Sequence, residues 1–189
     1  MTPIRLDADP VEPVSVQEMR AFLRLDSGDP GAEDPLLAGL VASARAVVEA
    51  ATRRVLAPGR YRILLDAWPV GGWLPLPLSP LVAIRQAALV DADGAVTELA
   101  AGLLRLGPDP IEAPGLLVTN GVPALKEQGV LIEVEAGHGG DGPPLPMPLA
   151  QAIRLLAAQA FEHRGDEPGP EALPPMVAAL IAPWRRLRL

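Results

Sequence analysis

Apolar side chains recur at three- and four-residue steps near both ends of the chain and at two-residue steps between them. The clearest helical stretch is DPLLAGLVASARAVVEAATRR, from Asp34 to Arg54. Leu36, Leu37, Leu40, Val41, Ala44, Val47, Val48 and Ala51 form one apolar stripe. Asp34 is the expected N-cap, and Pro35 then takes the first helical position, where a missing N–H costs nothing. Arg45, Glu49 and Arg53 lie four apart on the other side, so Glu49 can pair with either arginine. At about 1.5 Å per residue this rod is roughly 30 Å long, the width of a small domain. A preceding helix begins at Ser15, because Glu18 stands at capping-box spacing and Val14 and Met19 form a hydrophobic staple. Val16, Met19, Phe22 and Leu23 make its buried face, and Asp26–Pro30 stops it. Joined by a short loop, helices 15–25 and 34–54 should pack as an antiparallel hairpin. A third helix, 149–164, buries Leu149, Ile153, Leu156, Ala160 and Phe161 and stops at Gly165. A short fourth, 175–182, carries Met176, Val177, Leu180 and Ile181, and Pro183 ends it.

Between the second and third helices the period falls to two. Tyr61–Asp66, Leu81–Asp91, Val96–Leu99, Leu103–Leu106, Leu116–Thr119 and Val130–Ala136 read as short strands of an antiparallel meander. Proline cannot donate to a central ladder, so Asp66–Pro80, with its WLPLPL alternation, is an edge strand or an extended arm. Asp91-Ala92-Asp93-Gly94 opens like a calcium loop, but Gly102 stands where the bidentate Glu belongs, which leaves a hairpin turn. Gly107–Gly129 is rich in loop residues and should project outward, and residues 1–12 read as an unstructured lead-in. The expected fold is therefore α+β: a helical body, a small β region over about 60–137, and an extended C-terminal tail. Residues 1–183 form a single domain in this reading, and 184–189 the tail.

Composition narrows the classes of function. The chain has 189 residues and a net charge of −7, which argues against general nucleic-acid binding, since that needs cations for phosphates. There is no cysteine, which removes disulfides, thiolate zinc sites and cysteine nucleophiles. The 23 prolines cluster at 66–80, 108–123, 143–148 and 168–183, marking segment boundaries rather than disorder. MTPIRLDADP lacks the apolar core of a signal peptide, and no run approaches the length of a membrane span. A soluble, cytoplasmic protein without membrane contact is expected.

No catalytic constellation emerges. His138 lies in AGHGGDG, where prolines follow instead of the Lys and Ser or Thr of a phosphate loop. His163 lacks the second histidine of a zincin helix and suits a helix C-terminus. The serines at 15, 27, 43 and 79 have no GxSxG context. Glu133 and Glu135 share one face of a strand, which solvation explains, although Glu135 could face a neighbouring subunit. The expectation is no enzyme, no cofactor and no metal. Against this background the ending Trp184-Arg185-Arg186-Leu187-Arg188-Leu189 stands out, with three arginines and a tryptophan on an acidic protein. Trp and Arg are enriched at interface hot spots, so these six residues are candidates for docking a partner. The competing reading is an end folded back onto its own core.

The order of motifs carries further than any one of them. PVSVQEMRAFLRLD and DPLLAGLVASARAVVEAATRRVL precede LPLPLSPLVAIRQAALVDADG and VLIEVEAGHGG, and LPMPLAQAIRLLAAQAFEHRG and LPPMVAALIAPWRRLRL follow. This succession, over about residues 13 to 187, resembles the head–tail connector (adaptor) proteins of long-tailed phages, prophages and gene transfer agents. The resemblance implies a structural protein of the particle neck, assembled in the cytoplasm. It would form a homo-oligomeric ring of twelve beneath the portal protein, extending the DNA channel without specific DNA binding. The ring would offer a platform to a tail-side connector or stopper protein. In relatives the C-terminal segment engages the portal, which assigns that role to Trp184, Arg185, Arg186, Leu187, Arg188 and Leu189. Arg45, Glu49 and Arg53 become candidates for a subunit interface or the channel face. Two other classes stay open at this stage: a small-ligand enzyme or binding module, and a host protein-interaction domain.

Overall fold

The computed structural model describes residues 1–25, 31, 33–125, 129–163 and 173–186. The fold class is α+β, and the chain divides into two compact units. One comprises Met1–Val11 and Ala57–Pro143; the other comprises Glu12–Leu56 and the chain from Pro144 onward. The helical body and the β region of the sequence reading follow this division.

The helical unit contains α1 (Val16–Leu23), α2 (Asp34–Thr52), α3 (Met147–Glu162) and α4 (Pro175–Ile181). Its core is where the apolar periods meet: Met19 of α1, Leu37, Val41 and Val48 of α2, Leu149, Ile153 and Ala157 of α3, and Val177 and Ile181 of α4. The buried seam of α2 is narrower than its apolar stripe, since Leu36 and Val47 are exposed. α2 is long and apolar enough to cross a membrane, but here one side is this core and the other holds an Arg45–Glu49 ion pair.

Local chemistry accounts for the helix ends. Ser15 and Glu18 form the expected capping box: the Glu18 carboxylate accepts from the Ser15 N–H at 2.8 Å, and the Ser15 hydroxyl accepts from the Glu18 N–H at 3.1 Å. The start of α2 differs from expectation. Asp34 is its first helical residue and does not cap, because Arg20 takes its carboxylate at 2.9 Å; Glu33 holds the N-cap position, and its side chain does not cap the helix. α3 starts at Met147, two residues before Leu149, because Pro148 falls in the first turn, where no N–H is needed. The expected stops at Asp26–Pro30 and Gly165 lie outside the described residues.

The capping box gives a pH-dependent expectation. Hydrogen bonds from the Ser15 backbone, then from its hydroxyl, hold the Glu18 carboxyl below its ordinary value near 4.5. A depressed folded pKa contributes stability above the unfolded pKa, and that stability is lost as pH falls through the folded value. Ser15→Ala should therefore cost about 1 kcal/mol at neutral pH. Paired thermal melts at pH 7 and pH 3 should show the gap to the parent narrowing at the acid end without vanishing, because the Glu18 N–H bond to the Ser15 hydroxyl does not depend on the carboxyl charge.

The β unit contains β1 (Ile4–Arg5), β2 (Gly59–Leu65), β3 (Trp73–Pro75), β4 (Leu81–Val90), β5 (Val96–Glu98), β6 (Leu104–Leu106), β7 (Gly115–Val118) and β8 (Gly129–Ala136). They form a five-stranded antiparallel sheet in the order β1-β2-β8-β4-β5 and a three-stranded sheet in the order β3-β7-β6. The larger sheet is not a simple meander. β8 returns from far along the chain to lie between β2 and β4, pairing Ile63 with Ile132 and Tyr61 with Val134, all four buried.

The lead-in is partly structured. Ile4 and Arg5 pair with Arg62 and Tyr61, and the Arg5 guanidinium lies 5.4 Å from the Tyr61 ring centroid and donates to the Pro58 carbonyl at 2.7 Å. The proline-rich arm supplies β3 as an edge strand, and the 107–129 segment supplies its partner β7 rather than a free projection. Two glycines make room for Trp73: a Cβ on Gly107 would come within 2.6 Å of the indole, and one on Gly115 within 2.5 Å. Asp91–Gly94 is the expected turn, with the Asp91 carboxylate accepting from the Asp93 and Ala95 N–H groups.

Candidate functional site

The chain end folds against the C-terminal end of α2. After α4, a 3-10 turn over Ala182–Trp184 brings the half-buried Trp184 onto the core of the helical unit. Arg54 is only 5% exposed; its guanidinium lies 6.0 Å from the Trp184 ring centroid, and its Nε donates to the Trp184 carbonyl at 2.8 Å. The Arg186 N–H donates to the Thr52 carbonyl at 3.1 Å, and Arg185 Nε donates to the Ala51 carbonyl at 3.2 Å. These two carbonyls belong to the last turn of α2, where helical acceptors lack intrahelical donors. Residues 184–186 thus serve as an external cap, and the cations sit at the negative end of the helix dipole. Arg53, at the same end, adopts a left-handed conformation (φ 57°) and is exposed. The base of the tail is therefore folded back through Arg186. Leu187, Arg188 and Leu189 lie outside the described residues.

Arg45 and Glu49 work within the fold. Arg45 donates to Glu12 from Nε at 2.8 Å and to Glu49 from Nη1 at 2.7 Å, while the second Glu49 oxygen accepts the Leu56 N–H at 2.7 Å. This relay ties residue 12 and the chain beyond α2 to the middle of the helix. The side chains of Arg45 and Glu49 are 12% and 22% exposed. Arg53 is not joined to them.

One face of the larger sheet holds a second charged group. Solvation does not account for Glu133, which is buried: Arg60 binds it at 2.9 Å and Arg62 at 2.7 Å from the neighbouring strand. Arg85 bridges Glu135 at 2.6 Å and Asp141 at 3.3 Å. Glu135 therefore has a partner within its own chain. His138 is buried in its glycine turn, and His163 ends α3 with Nδ1 3.0 Å from the Gln159 carbonyl. Among the described residues no three His, Cys, Asp or Glu side chains gather as a metal site would require.

Two grooves open on the β unit. One, of about 370 Å³, is lined by Leu64, Leu65, Val90 and Leu131 together with Arg62 and Asp91. The other, of about 420 Å³, runs from Ile84 to Gln86 past Glu98. Neither pairs a nucleophile with a base, nor presents converging donors that would stabilise a reacting oxygen.

No protein-family model matches the sequence, and no curated protein matches it. Solved structures do. A chain from the neck of the empty gene transfer agent (GTA) particle, computed with C6 symmetry, is 36% identical with a TM-score of 0.84. One from the virion of the native particle is 38% identical with a TM-score of 0.81, and one from the native neck computed with C12 symmetry is 34% identical with a TM-score of 0.79. Each alignment covers 100% of this chain and 97% of the other. Identity at this level over both full lengths reaches beyond a shared fold, and the chain belongs to the family of structural neck proteins of gene transfer agent particles.

Proposed function

We propose that the chain is the head–tail connector adaptor of such a particle. It forms a twelve-membered ring beneath the portal, extends the DNA channel and carries the tail-side connector or stopper. The observation behind this reading is the full-length likeness to a chain of the native neck computed with C12 symmetry. Cyclic rings need heterologous interfaces that close, so two different faces of each subunit must meet. A net charge of −7 suits a conduit, because it weakens contact with passing phosphates. The ring docks on the portal through Trp184–Leu189, whose Arg and Trp content is that of an interface anchor. Assembly takes place in the cytoplasm before the finished particle carries the ring in its neck.

Deleting residues 183–189 tests this docking. Particles produced with the truncated chain should lack it, measured as the ratio of this chain to capsid protein by quantitative mass spectrometry. Normal incorporation of a truncated chain that melts like the parent would contradict the reading.

A further inference from the structure

We propose that the exposed side of α2 is one face of the ring interface: it receives α4 of the neighbouring copy of this chain. The inference rests on the ring reading above and says where adjacent copies meet.

α2 turns an uncharged surface outward. Leu36, Gly39, Ser43, Ala46 and Ala50 recur at steps of three and four and, with Val47, share one side of the helix; all six are exposed. Leu36 is 38% exposed and Val47 43%. The core positions Leu37, Val41, Ala44, Val48 and Thr52 lie on the opposite side. α2 holds three charged residues, and each is engaged elsewhere on its circumference: Asp34 by Arg20, and Arg45 with Glu49 by each other. A surface helix ordinarily turns a polar stripe to solvent, whereas one that is apolar all round is a buried helix. The apolar stripe of α2 is wider than its own core consumes, and the surplus is what a second helix would cover.

Two observations make that helix part of another copy. A cyclic ring closes only when two different faces of each subunit meet, and the helical unit offers a second uncharged face. The exposed positions of α1 include Glu18 and those of α3 include Glu162, but α4 (PMVAALI) holds no charge and exposes Pro175, Met176 and Ala179. The net charge of −7 is the other observation, since identical copies repel, and uncharged faces let them approach at the least electrostatic cost. The shapes also match. Gly39, Ser43, Ala46 and Ala50 leave a shallow groove in which a helix axis can approach to about 8 Å, and the flexible Met176 side chain, 66% exposed, suits an irregular gap.

The test uses full-length chains in particles. The chain has no cysteine, so introduced ones report alone. With a short bismaleimide cross-linker, the double variant Ser43→Cys with Met176→Cys should give a ladder of linked copies in denaturing electrophoresis, and each single variant none. Val47→Glu, melting within about 2 °C of the parent, should lower incorporation about tenfold. Gln17→Glu, which adds the same charge to the exposed side of α1, should incorporate normally. No ladder together with normal incorporation of Val47→Glu, in particles whose neck still holds a ring of this chain, would overturn the interface and leave the ring reading standing. If the parent chain forms no ring in the neck, the ring reading itself falls. Cross-linking by Ser43→Cys alone would mean that like faces meet and would overturn the pairing with α4. Loss of incorporation in Val47→Glu without any cross-link would assign the face to another neck protein, and an equal loss in Gln17→Glu would show that α2 is not special; either would overturn the proposal.

Discussion

Replacing Ile153 by Ala should lower the unfolding free energy by about 2–5 kcal/mol. Ile153 is fully buried on α3, in the cluster that includes Leu37, Val41 and Val48 of α2 and Val177 and Ile181 of α4. Truncation removes three carbons from a site walled by several elements, so the surroundings cannot collapse around the void without moving a whole helix. For a chain of this size each kcal/mol shifts the melting temperature by about 2–4 °C, so the midpoint should fall by roughly 4–20 °C. Met176→Ala on α4 is the control, because Met176 is 66% exposed and its loss should fall within about 0.5 kcal/mol of the parent. Equal melts for Ile153→Ala and the parent would mean that the helical core is not assembled as described.

Gly137→Ala should do comparable harm in the β unit with the addition of a single carbon. Gly137 has φ 117°, and a Cβ there would lie 2.5 Å from the Ala57 carbonyl oxygen and 2.9 Å from the Ala57 carbonyl carbon and Pro58 Cα. These are main-chain atoms, which cannot rotate away as a flexible side chain would. Gly137 is also fixed in place by its own N–H, which donates to the Pro80 carbonyl at 2.9 Å. Backbone strain of about 1–3 kcal/mol adds to overpacking of about 1–3 kcal/mol. The comparison is Gly94→Ala: φ is 84° there, but nothing lies within 4 Å of the added carbon. That variant should cost about 1 kcal/mol, from the left-handed backbone alone. If Gly137→Ala melts no lower than Gly94→Ala, the close approach of Ala57 to residue 137 is wrong.

The parts of the fold that were legible in the sequence are those set by near neighbours along the chain. Among the described residues, apolar steps of three and four located the four α-helices to within about two residues, and Ser15 with Glu18 located a start. Local signals misled where a distant partner competed for the same group. Asp34 reads as a cap, but Arg20 takes its carboxylate from another helix. Glu133 reads as a solvated acid, because alternation gives its face but not the two arginines of a strand 71 residues or more away. Ile4 and Arg5 are too short a run to signal a strand, and only pairing with β2 defines them. Trp184 was legible as unusual. That Arg54, Thr52 and Ala51 would hold residues 184–186 depends on contacts spanning about 130 positions, which no local pattern encodes.

The same limit applies to function. The ordered motifs pointed to a neck protein, and full-length likeness to solved neck chains agrees with them. Residue chemistry alone offered only a basic aromatic ending on an acidic chain, while the structure joins Arg54 to that ending.

Electron cryomicroscopy of particles from the source organism, reconstructed at the vertex without imposed symmetry, tests the central claim most directly. The account predicts a ring of twelve copies of this chain between portal and tail, with residues 184–189 against the portal. A neck whose density at that level is filled by another protein, or particles in which this chain lies elsewhere, would contradict it.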